Sequence, residues 1–260
     1  MNRKHANVSF NGEFFPAEEA KMPAISAAAM FGHGIFTTIA VRGGAPALWE
    51  RHWARLRDNA ESIGLDISDL TEGGVSAALT GLIGRNGISS GLARITLFDE
   101  SAGNLRSPGA GRGAGLLITT RDPRPVPENL KLAVSPYLLN SRSPLAGVKS
   151  CNYMENLLAL EEARKRGFDE AVRLNERGEI ASACMANIFW EKDGRLFTPG
   201  LASGCLAGTT RAEILESAGA EESDAGIEAL EDADAIFLTS AGLGKIKVAE
   251  FGYTSQNRER

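Results

Sequence analysis

Lys149 is placed where a lysine can do chemistry. It follows the apolar residues 145–148 and precedes a predicted helix that starts near Asn152. An amine drawn toward the interior loses hydration, which disfavours its ammonium form and lowers its pKa. The neutral amine suits a Schiff base with an aldehyde cofactor or a carbonyl substrate. A single lysine is more often a solvated surface residue, so this interpretation depends on the rest of the chain.

Two turns rich in small residues are candidate anion sites. Residues 206–211 lead into a predicted helix, and a helix N-terminus offers free N–H groups and a favourable dipole to an anion. Simple N-capping explains the same residue types. A second turn follows the apolar strand predicted at residues 235–238. Together the turns contribute five candidates: Gly208, Thr209, Thr210, Ser240 and Ala241.

An arginine completes this set of residues. The apolar residues Trp53, Leu56 and Ala60 recur at helical spacing, which predicts an amphipathic helix over residues 50–63. Arg55 on this helix is either a solvated surface residue or an inward clamp for a phosphate group. A lysine, an arginine and two anion turns are what pyridoxal 5′-phosphate requires, because its aldehyde takes the amine and its phosphate takes the other groups.

Composition excludes several other classes of protein. The chain has 260 residues, of which 43% are hydrophobic and 23% charged, with a net charge of −5, so nucleic acid is not an expected partner. Its three cysteines lack CxxC spacing, and its three histidines are scattered, which predicts reduced thiols, no metal site and a cytoplasmic location. The sequence has no apolar run long enough for a membrane span and no apolar core after its N-terminal residues, so neither a membrane span nor a signal peptide is expected.

The order of predicted elements indicates an α+β fold. A proline-rich segment predicts a linker at residues 121–128, between an N-terminal domain, 1–120, and a C-terminal domain, 129–260. Residues 100–113 are rich in Gly, Ser and Pro and predict a mobile loop. The predicted helices cover residues 50–63, 74–83, 152–165 and 210–218. The predicted strands cover 7–10, 36–41, 47–48, 93–98, 115–119, 130–135, 170–174, 180–190, 196–197, 235–238 and 246–248.

The chain resembles the fold-type IV, or class IV, pyridoxal-phosphate enzymes. This family includes branched-chain aminotransferases, D-amino acid aminotransferases and aminodeoxychorismate lyases. The resemblance covers residues 10–248 and rests on FGHGIFTT (31–38), HWARL (52–56), GVKSCNY (147–153), GEI (178–180), ANIFW (186–190) and GTTR (208–211). It implies a two-domain architecture with a smaller N-terminal α/β domain and a larger, barrel-like C-terminal domain. It also implies a homodimer that acts on a small-molecule amino substrate.

The resemblance assigns roles by position. Lys149 is implied as the Schiff-base lysine and Arg55 as the phosphate arginine. Tyr153 is implied to hydrogen-bond the phenolic oxygen of the cofactor, while the two anion turns hold its phosphate. Phe36 and Arg106, the latter in the predicted loop, are candidate substrate-site residues. Thr38 is a candidate catalytic residue that helps to position the substrate. His33, where the family often has aspartate, is expected to be structural.

Ser182 departs from the family, which usually has a glutamate at this position. That glutamate keeps the pyridine nitrogen protonated, whereas a serine hydroxyl can hydrogen-bond the nitrogen but cannot hold a full positive charge there. Glu179 lies three residues away, an offset that predicts the opposite face of a strand. The weaker electron sink favours elimination that ends in an aromatic product over reversible transamination.

The predicted activity is therefore that of a lyase that converts 4-amino-4-deoxychorismate to 4-aminobenzoate and pyruvate. The alternative is an aminotransferase for branched-chain or D-amino acids. The residues Asn152 and Tyr153 are closer to the aminotransferase sequence pattern than to the lyase pattern. A third possibility is a homologue that binds the cofactor without catalysis.

Overall fold

The computed structural model describes residues 5–102, 114–123, 125 and 127–252. Two compact units comprise Met1–Pro125 with Val148–Asn152, and Val126–Gly147 with Tyr153–Arg260. The segment that carries Lys149 thus belongs to the first unit, although it is flanked in sequence by the second. The domain boundary at residues 121–128 remains a prediction. Arg106 and most of the predicted loop lie at 103–113, outside the described residues.

The first unit contains an antiparallel six-stranded sheet in the part of the chain that the structure describes. The strand order is β2-β1-β6-β5-β3-β4. Its elements are β1 (Asn7–Phe10), β2 (Glu13–Pro16), α1 (Ala27–Phe31), β3 (Gly34–Arg42), β4 (Ala45–Pro46), α2 (Trp49–Ser62), α3 (Glu72–Arg85), β5 (Ser90–Asp99) and β6 (Ala114–Arg121).

One face of this sheet forms a core with the two longer helices. In β3, Ile35 and Ile39 point to the same side because strand residues alternate, and both are buried with Leu56 of α2 and Leu79 of α3. The predicted apolar stripe of α2 is confirmed, since Trp53, Leu56 and Ala60 are all buried. Helix α3 begins where the Thr71 hydroxyl accepts a hydrogen bond from the Gly74 N–H group.

The second unit contains two sheets within the described ranges. Their strand orders are β12-β11-β10-β13-β14 and β15-β7-β8-β9. Its elements are β7 (Lys131–Val134), α4 (Met154–Lys165), β8 (Glu170–Leu174), β9 (Ile180–Ala183), β10 (Asn187–Lys192), β11 (Arg195–Thr198), a 3-10 turn (Leu201–Ser203), α5 (Thr209–Ala218), β12 (Glu221–Glu222), α6 (Glu228–Glu231), β13 (Ala235–Ser240), β14 (Gly244–Lys247) and β15 (Glu250–Gly252). The predicted α+β class is confirmed.

The single strand predicted at residues 180–190 is wrong. The chain turns between β9, which pairs with β8, and β10, which pairs with β11 and β13. The buried Glu170 carboxylate stabilises this corner by accepting the N–H groups of Cys184 and Met185. Burial raises the pKa of Glu170. Residues 183–186, which form the corner, are Ala, Cys, Met and Ala and include no turn-favouring residue that would signal it.

Other boundaries also differ. The predicted helix at 152–165 begins at Met154, because the Asn152 amide donates to the Gly32 carbonyl in the first unit and Tyr153 is the N-cap. Helix α1 and strand β2 were not predicted, and both are short. No helix in the described portion of the chain has the length and apolarity required to span a membrane.

Candidate active site

The main chain of Lys149 is held on both sides within the first unit. The segment Val148–Asn152 runs antiparallel to the start of β3, with a bridge between Ile35 and Ser150. The Phe36 N–H group donates to the Lys149 carbonyl at 2.9 Å. The Lys149 N–H group donates to Asn59 Oδ1, on α2, at 2.8 Å. These bonds fix where the lysine side chain leaves the backbone.

The pKa of the Lys149 amine lies close to neutral pH. Burial, together with the positive charges of Arg55 and Arg94, lowers its pKa from 10.5 to about 7. Its Nζ lies 4.5 Å from the centroid of the Phe36 ring. A large fraction of this amine is therefore unprotonated at neutral pH, which is the nucleophilic form expected from the sequence.

Arg94 joins this group and was missed in the sequence. It lies directly opposite Thr38 in the β3–β5 register, and its guanidinium is 3.6 Å from the Phe36 ring centroid. Phe36 and Thr38 are two residues apart in β3 and share one face. The structure thus brings together Lys149, Phe36, Thr38 and Arg94. The available signal was a charged residue inside an otherwise apolar predicted strand.

Arg55 is oriented by a buried hydrogen-bond chain. Its Nη2 donates to Thr37 Oγ1 at 2.6 Å, and Thr37 Oγ1 lies 2.6 Å from His52 Nδ1. Burial, followed by the charges of Arg55 and Lys149, lowers the pKa of His52 to about 3. The neutral ring accepts at Nδ1, so the Thr37 proton points to His52 and its lone pair to Arg55. Thr37 and His52 were not assigned roles from the sequence.

His33 is held by hydrogen bonds on both ring nitrogens. Nδ1 lies 2.9 Å from the buried Asp99 carboxylate, and Nε2 lies 3.0 Å from the Ile63 carbonyl. These contacts tie the start of β3 to the end of β5 and to the end of α2.

In the second unit, α5 begins at Thr209 with Gly208 as its N-cap. A glycine N-cap has no side chain that could accept from the first N–H groups of the helix. A Cβ atom added to Gly208 would overlap Asn187 Oδ1, so a larger residue here requires the Asn187 side chain or the turn to move. The Asn187 amide in turn donates to the Leu206 carbonyl at 2.8 Å. Asn187 therefore shapes the turn that precedes Thr209 and Thr210, a role not recognised in the sequence.

The second anion turn lies beside the same asparagine. Thr239 pairs with Asn187 across β13 and β10, and its side chain is 1% exposed. Its Oγ1 has no hydrogen-bond partner within the described residues. Ser240 Oγ accepts from the Leu243 N–H group, which closes the turn around Ala241. An unpaired buried hydroxyl is costly without a ligand, so Thr239 is a further candidate beside the predicted Ser240 and Ala241.

Two remaining candidates lie elsewhere in the second unit. Tyr153 is the half-buried N-cap of α4. Ser182 is buried in β9, opposite Arg173 of β8. The carboxylate of Glu179 is already bound by Arg177 and Asn175.

Comparison with known proteins identifies the family. The model for amino-transferase class IV matches residues 34–251. The chain belongs to the class IV aminotransferases. It is 28% identical over 231 residues to the branched-chain-amino-acid aminotransferase of Escherichia coli K12, covering 84% of this chain and 74% of that protein. It is 29% identical over a 273-residue alignment to the aminodeoxychorismate lyase of Bacillus subtilis 168, covering 96% and 89%.

Solved structures agree with this family assignment. The branched-chain aminotransferase of Escherichia coli matches with a TM-score of 0.88 and 26% identity, over 95% of this chain and 87% of that one. A putative 4-amino-4-deoxychorismate lyase of Legionella pneumophila matches with a TM-score of 0.83 and 25% identity, over 90% and 88%. The fold-type IV resemblance is confirmed, and the protein is a pyridoxal-phosphate-dependent enzyme.

The residues present fit this cofactor. In the first unit, an amine with a pKa of about 7 suits the aldehyde, and Arg55 is a cation held in one orientation. In the second unit, a helix N-terminus with a glycine N-cap and the buried hydroxyl of Thr239, which has no partner among the described residues, suit phosphate.

Proposed function

We propose that this enzyme is a lyase that converts 4-amino-4-deoxychorismate to 4-aminobenzoate and pyruvate. The observation that carries the proposal is Ser182, a buried hydroxyl where the family usually has a glutamate. When bound, pyridoxal phosphate withdraws electrons from the carbon that bears the substrate amine. A serine leaves this withdrawal weaker, and the formation of an aromatic ring supplies the missing driving force.

Lys149 acts as base and then as acid in this proposal. Its amine, with a pKa of about 7, takes the proton from the amine-bearing carbon and later delivers a proton to the leaving pyruvate fragment. Thr38 positions the substrate, and the Phe36 ring supports both the amine and Arg94. The substrate carries two carboxylates, which suits a face with several positive charges. Arg106 is proposed as an additional carboxylate contact.

The cofactor contacts in this proposal are those that the family resemblance implies. Arg55 and the N-terminus of α5 bind the phosphate, Tyr153 hydrogen-bonds the phenolic oxygen, and Ser182 hydrogen-bonds the ring nitrogen. The phosphate contacts in the second unit are the five predicted turn residues: Gly208, Thr209, Thr210, Ser240 and Ala241.

Aminotransfer is the second candidate activity. Asn152 and Tyr153 resemble the aminotransferase pattern, and a branched-chain aminotransferase is among the relatives by sequence and by structure. Its substrates would be branched-chain or D-amino acids. An aminotransferase must convert bound cofactor to the amine form in its first half-reaction, whereas the lyase need not.

A substrate screen tests these alternatives. Purified protein is incubated with 4-amino-4-deoxychorismate, branched-chain amino acids and D-amino acids, and both 4-aminobenzoate and α-keto acids are followed. We expect 4-aminobenzoate with equimolar pyruvate, and no amine form of the cofactor with amino acids alone. Lys149→Ala should lose the absorption band of lysine-bound cofactor at roughly 410–430 nm, while Lys131→Ala, which removes a surface ion pair with Glu250, should keep it. Keto acid formation without 4-aminobenzoate would contradict the lyase assignment.

We infer that the enzyme is a cytoplasmic homodimer. Helix α4 exposes Met154, Leu157 and Leu158, which are 64%, 46% and 55% exposed and share one helical face. An exposed apolar stripe of this kind is typical of an interface. Light scattering should give twice the monomer mass for the wild type, and Leu158→Glu should reduce it. A monomeric wild type would exclude the dimer. The reduced state expected of the three cysteines supports the location.

A further inference from the structure

Arg173 is a charged residue in the interior of the second unit. Its side chain is 2% exposed in the middle of β8. Its Nη2 donates to the Leu138 carbonyl at 2.9 Å and lies 3.3 Å from the Glu155 carboxylate, and its Nη1 donates to Asn156 Oδ1. Glu155 is 80% exposed, so water screens this ion pair. The positive charge of Arg173 is therefore only weakly neutralised by its partner.

The register of the sheet places this charge beside Ser182. Arg173 and Ser182 are directly opposite each other in the antiparallel β8–β9 pair. Opposed residues of such a pair share a face, with Cβ atoms roughly 4.5–5.5 Å apart. Both residues are buried, so their interaction is poorly screened. A group that hydrogen-bonds the Ser182 hydroxyl therefore lies on the same face of the sheet as the Arg173 side chain.

The acidic groups around this pair are committed to other partners. Glu170 lies three positions from Arg173 in β8, and its oxygens accept the N–H groups of Ala171, Cys184 and Met185. Glu179 is bound by Arg177 and Asn175. Burial raises the pKa of the Cys184 thiol, so this neighbour of Ser182 stays neutral. Among the described residues, the carboxyl groups of Glu170 and Glu179 are thus already bound, and Ser182 itself offers a hydroxyl beside the cation of the paired strand.

We propose that Arg173 acts with Ser182 to keep the pyridine nitrogen of the bound cofactor unprotonated. The Ser182 hydroxyl donates its proton to the nitrogen lone pair, and the Arg173 charge disfavours a second positive charge on the ring. Arg173 is a positioning residue in this proposal, because it acts through its electrostatic field. The inference rests on the proposed contact between Ser182 and the ring nitrogen. In this proposal, Ser182 and Arg173 together weaken the electron withdrawal by the cofactor ring.

Nuclear magnetic resonance of the holoenzyme tests this directly. The protein is reconstituted with cofactor labelled with 15N at the pyridine nitrogen, and the chemical shift is followed across pH. We expect the wild type to show a neutral nitrogen at neutral pH and Ser182→Glu to show a protonated one. In the Ser182→Glu background, Arg173→Met should raise the ratio of protonated to neutral nitrogen about tenfold or more, while Arg173→Lys should leave it nearly unchanged.

Arg173→Lys keeps the positive charge and so separates the effect of charge from a folding defect in Arg173→Met. Glu155→Gln in the same background should leave the ratio nearly unchanged, because water already screens this exposed carboxylate. A protonated nitrogen in the wild type, or the same ratio in Arg173→Met and Arg173→Lys, would overturn the inference while leaving cofactor binding intact. A wild type that takes up no cofactor at Lys149 would instead contradict the proposed function, and the inference with it.

Discussion

The candidate site residues of the two units are chemically different. Those of the first unit are charged or titratable: the cations Lys149, Arg55 and Arg94 repel one another, and the buried His52 is held neutral with a pKa of about 3. The anion turns of the second unit consist of backbone groups and hydroxyls shaped by one asparagine. Repulsion among cations depresses the pKa of an amine, whereas neutral donors bind phosphate without changing that pKa. The reactive amine and the candidate phosphate-binding turns therefore belong to separate parts of the chain.

The largest expected effect is the pH dependence of cofactor attachment, which belongs to the first unit. The unprotonated amine is the reacting form, so the attachment rate should fall about tenfold per pH unit below a pKa of about 7 and level off above it. Stopped-flow absorption measures this rate. Arg94→Gln removes a cation that lowers the Lys149 pKa and should move the midpoint to higher pH. A midpoint close to 10.5 in the wild type would show that the amine is not perturbed.

The second prediction concerns a substitution that disturbs the anion turn at Gly208 in the second unit. In Gly208→Ala the added methyl group overlaps Asn187 Oδ1, so the Asn187 side chain that holds the Leu206 carbonyl, or the turn before α5, must shift. Overpacking of this kind costs roughly 1–3 kcal/mol, and we expect cofactor affinity to fall about tenfold or more. Fluorescence titration of cofactor-free protein gives the dissociation constant. Gly84→Ala, where the new methyl group meets open space in α3, is the control and should bind normally. Equal affinity in both variants would remove Gly208 from the site.

These differences also explain what the sequence predicts. Helix α2 was found because the spacing of Trp53, Leu56 and Ala60 is a local property of the chain. Lys149 and the turn at Gly208 stood out because their residue types are unusual in their immediate context. Each of these signals lies within about ten residues.

Long-range pairing was not accessible in the same way. Arg94 reaches the site because β5 lies beside β3 in one register, which places it opposite Thr38. Asn187 and Thr239 are neighbours across β10 and β13, and this pairing has no local signature although Thr239 begins a predicted anion turn. The corner after β9 depends on Glu170 from another strand. Such residues require the sheet pairing, which one sequence does not specify.

A third prediction separates the two faces of β3. Thr37→Val removes the hydroxyl that links Arg55 to His52, and an unpaired buried donor costs roughly 1–3 kcal/mol. We expect about a tenfold loss of affinity for both cofactor and inorganic phosphate, measured by titration. Thr38→Val, on the opposite face, should keep this affinity and lower kcat instead. If both variants change only kcat, Arg55 does not depend on Thr37 for its orientation.

The smallest expected effect tests the unpaired hydroxyl of the second unit. Thr239→Val replaces a buried Oγ1 that has no partner in the described residues with a methyl group, so the cofactor-free protein should be equally or slightly more stable. Thr198→Val is the matched control, since the buried Thr198 hydroxyl donates to the Ile188 carbonyl at 2.8 Å and its loss should cost roughly 1 kcal/mol. Cofactor affinity should fall a few-fold in Thr239→Val and stay unchanged in Thr198→Val. Urea unfolding and fluorescence titration measure the two quantities. Equal destabilisation in the two variants would mean that Thr239 already has a partner without the cofactor, and the second unit would then hold phosphate through the N-terminus of α5 and the turn at Ser240.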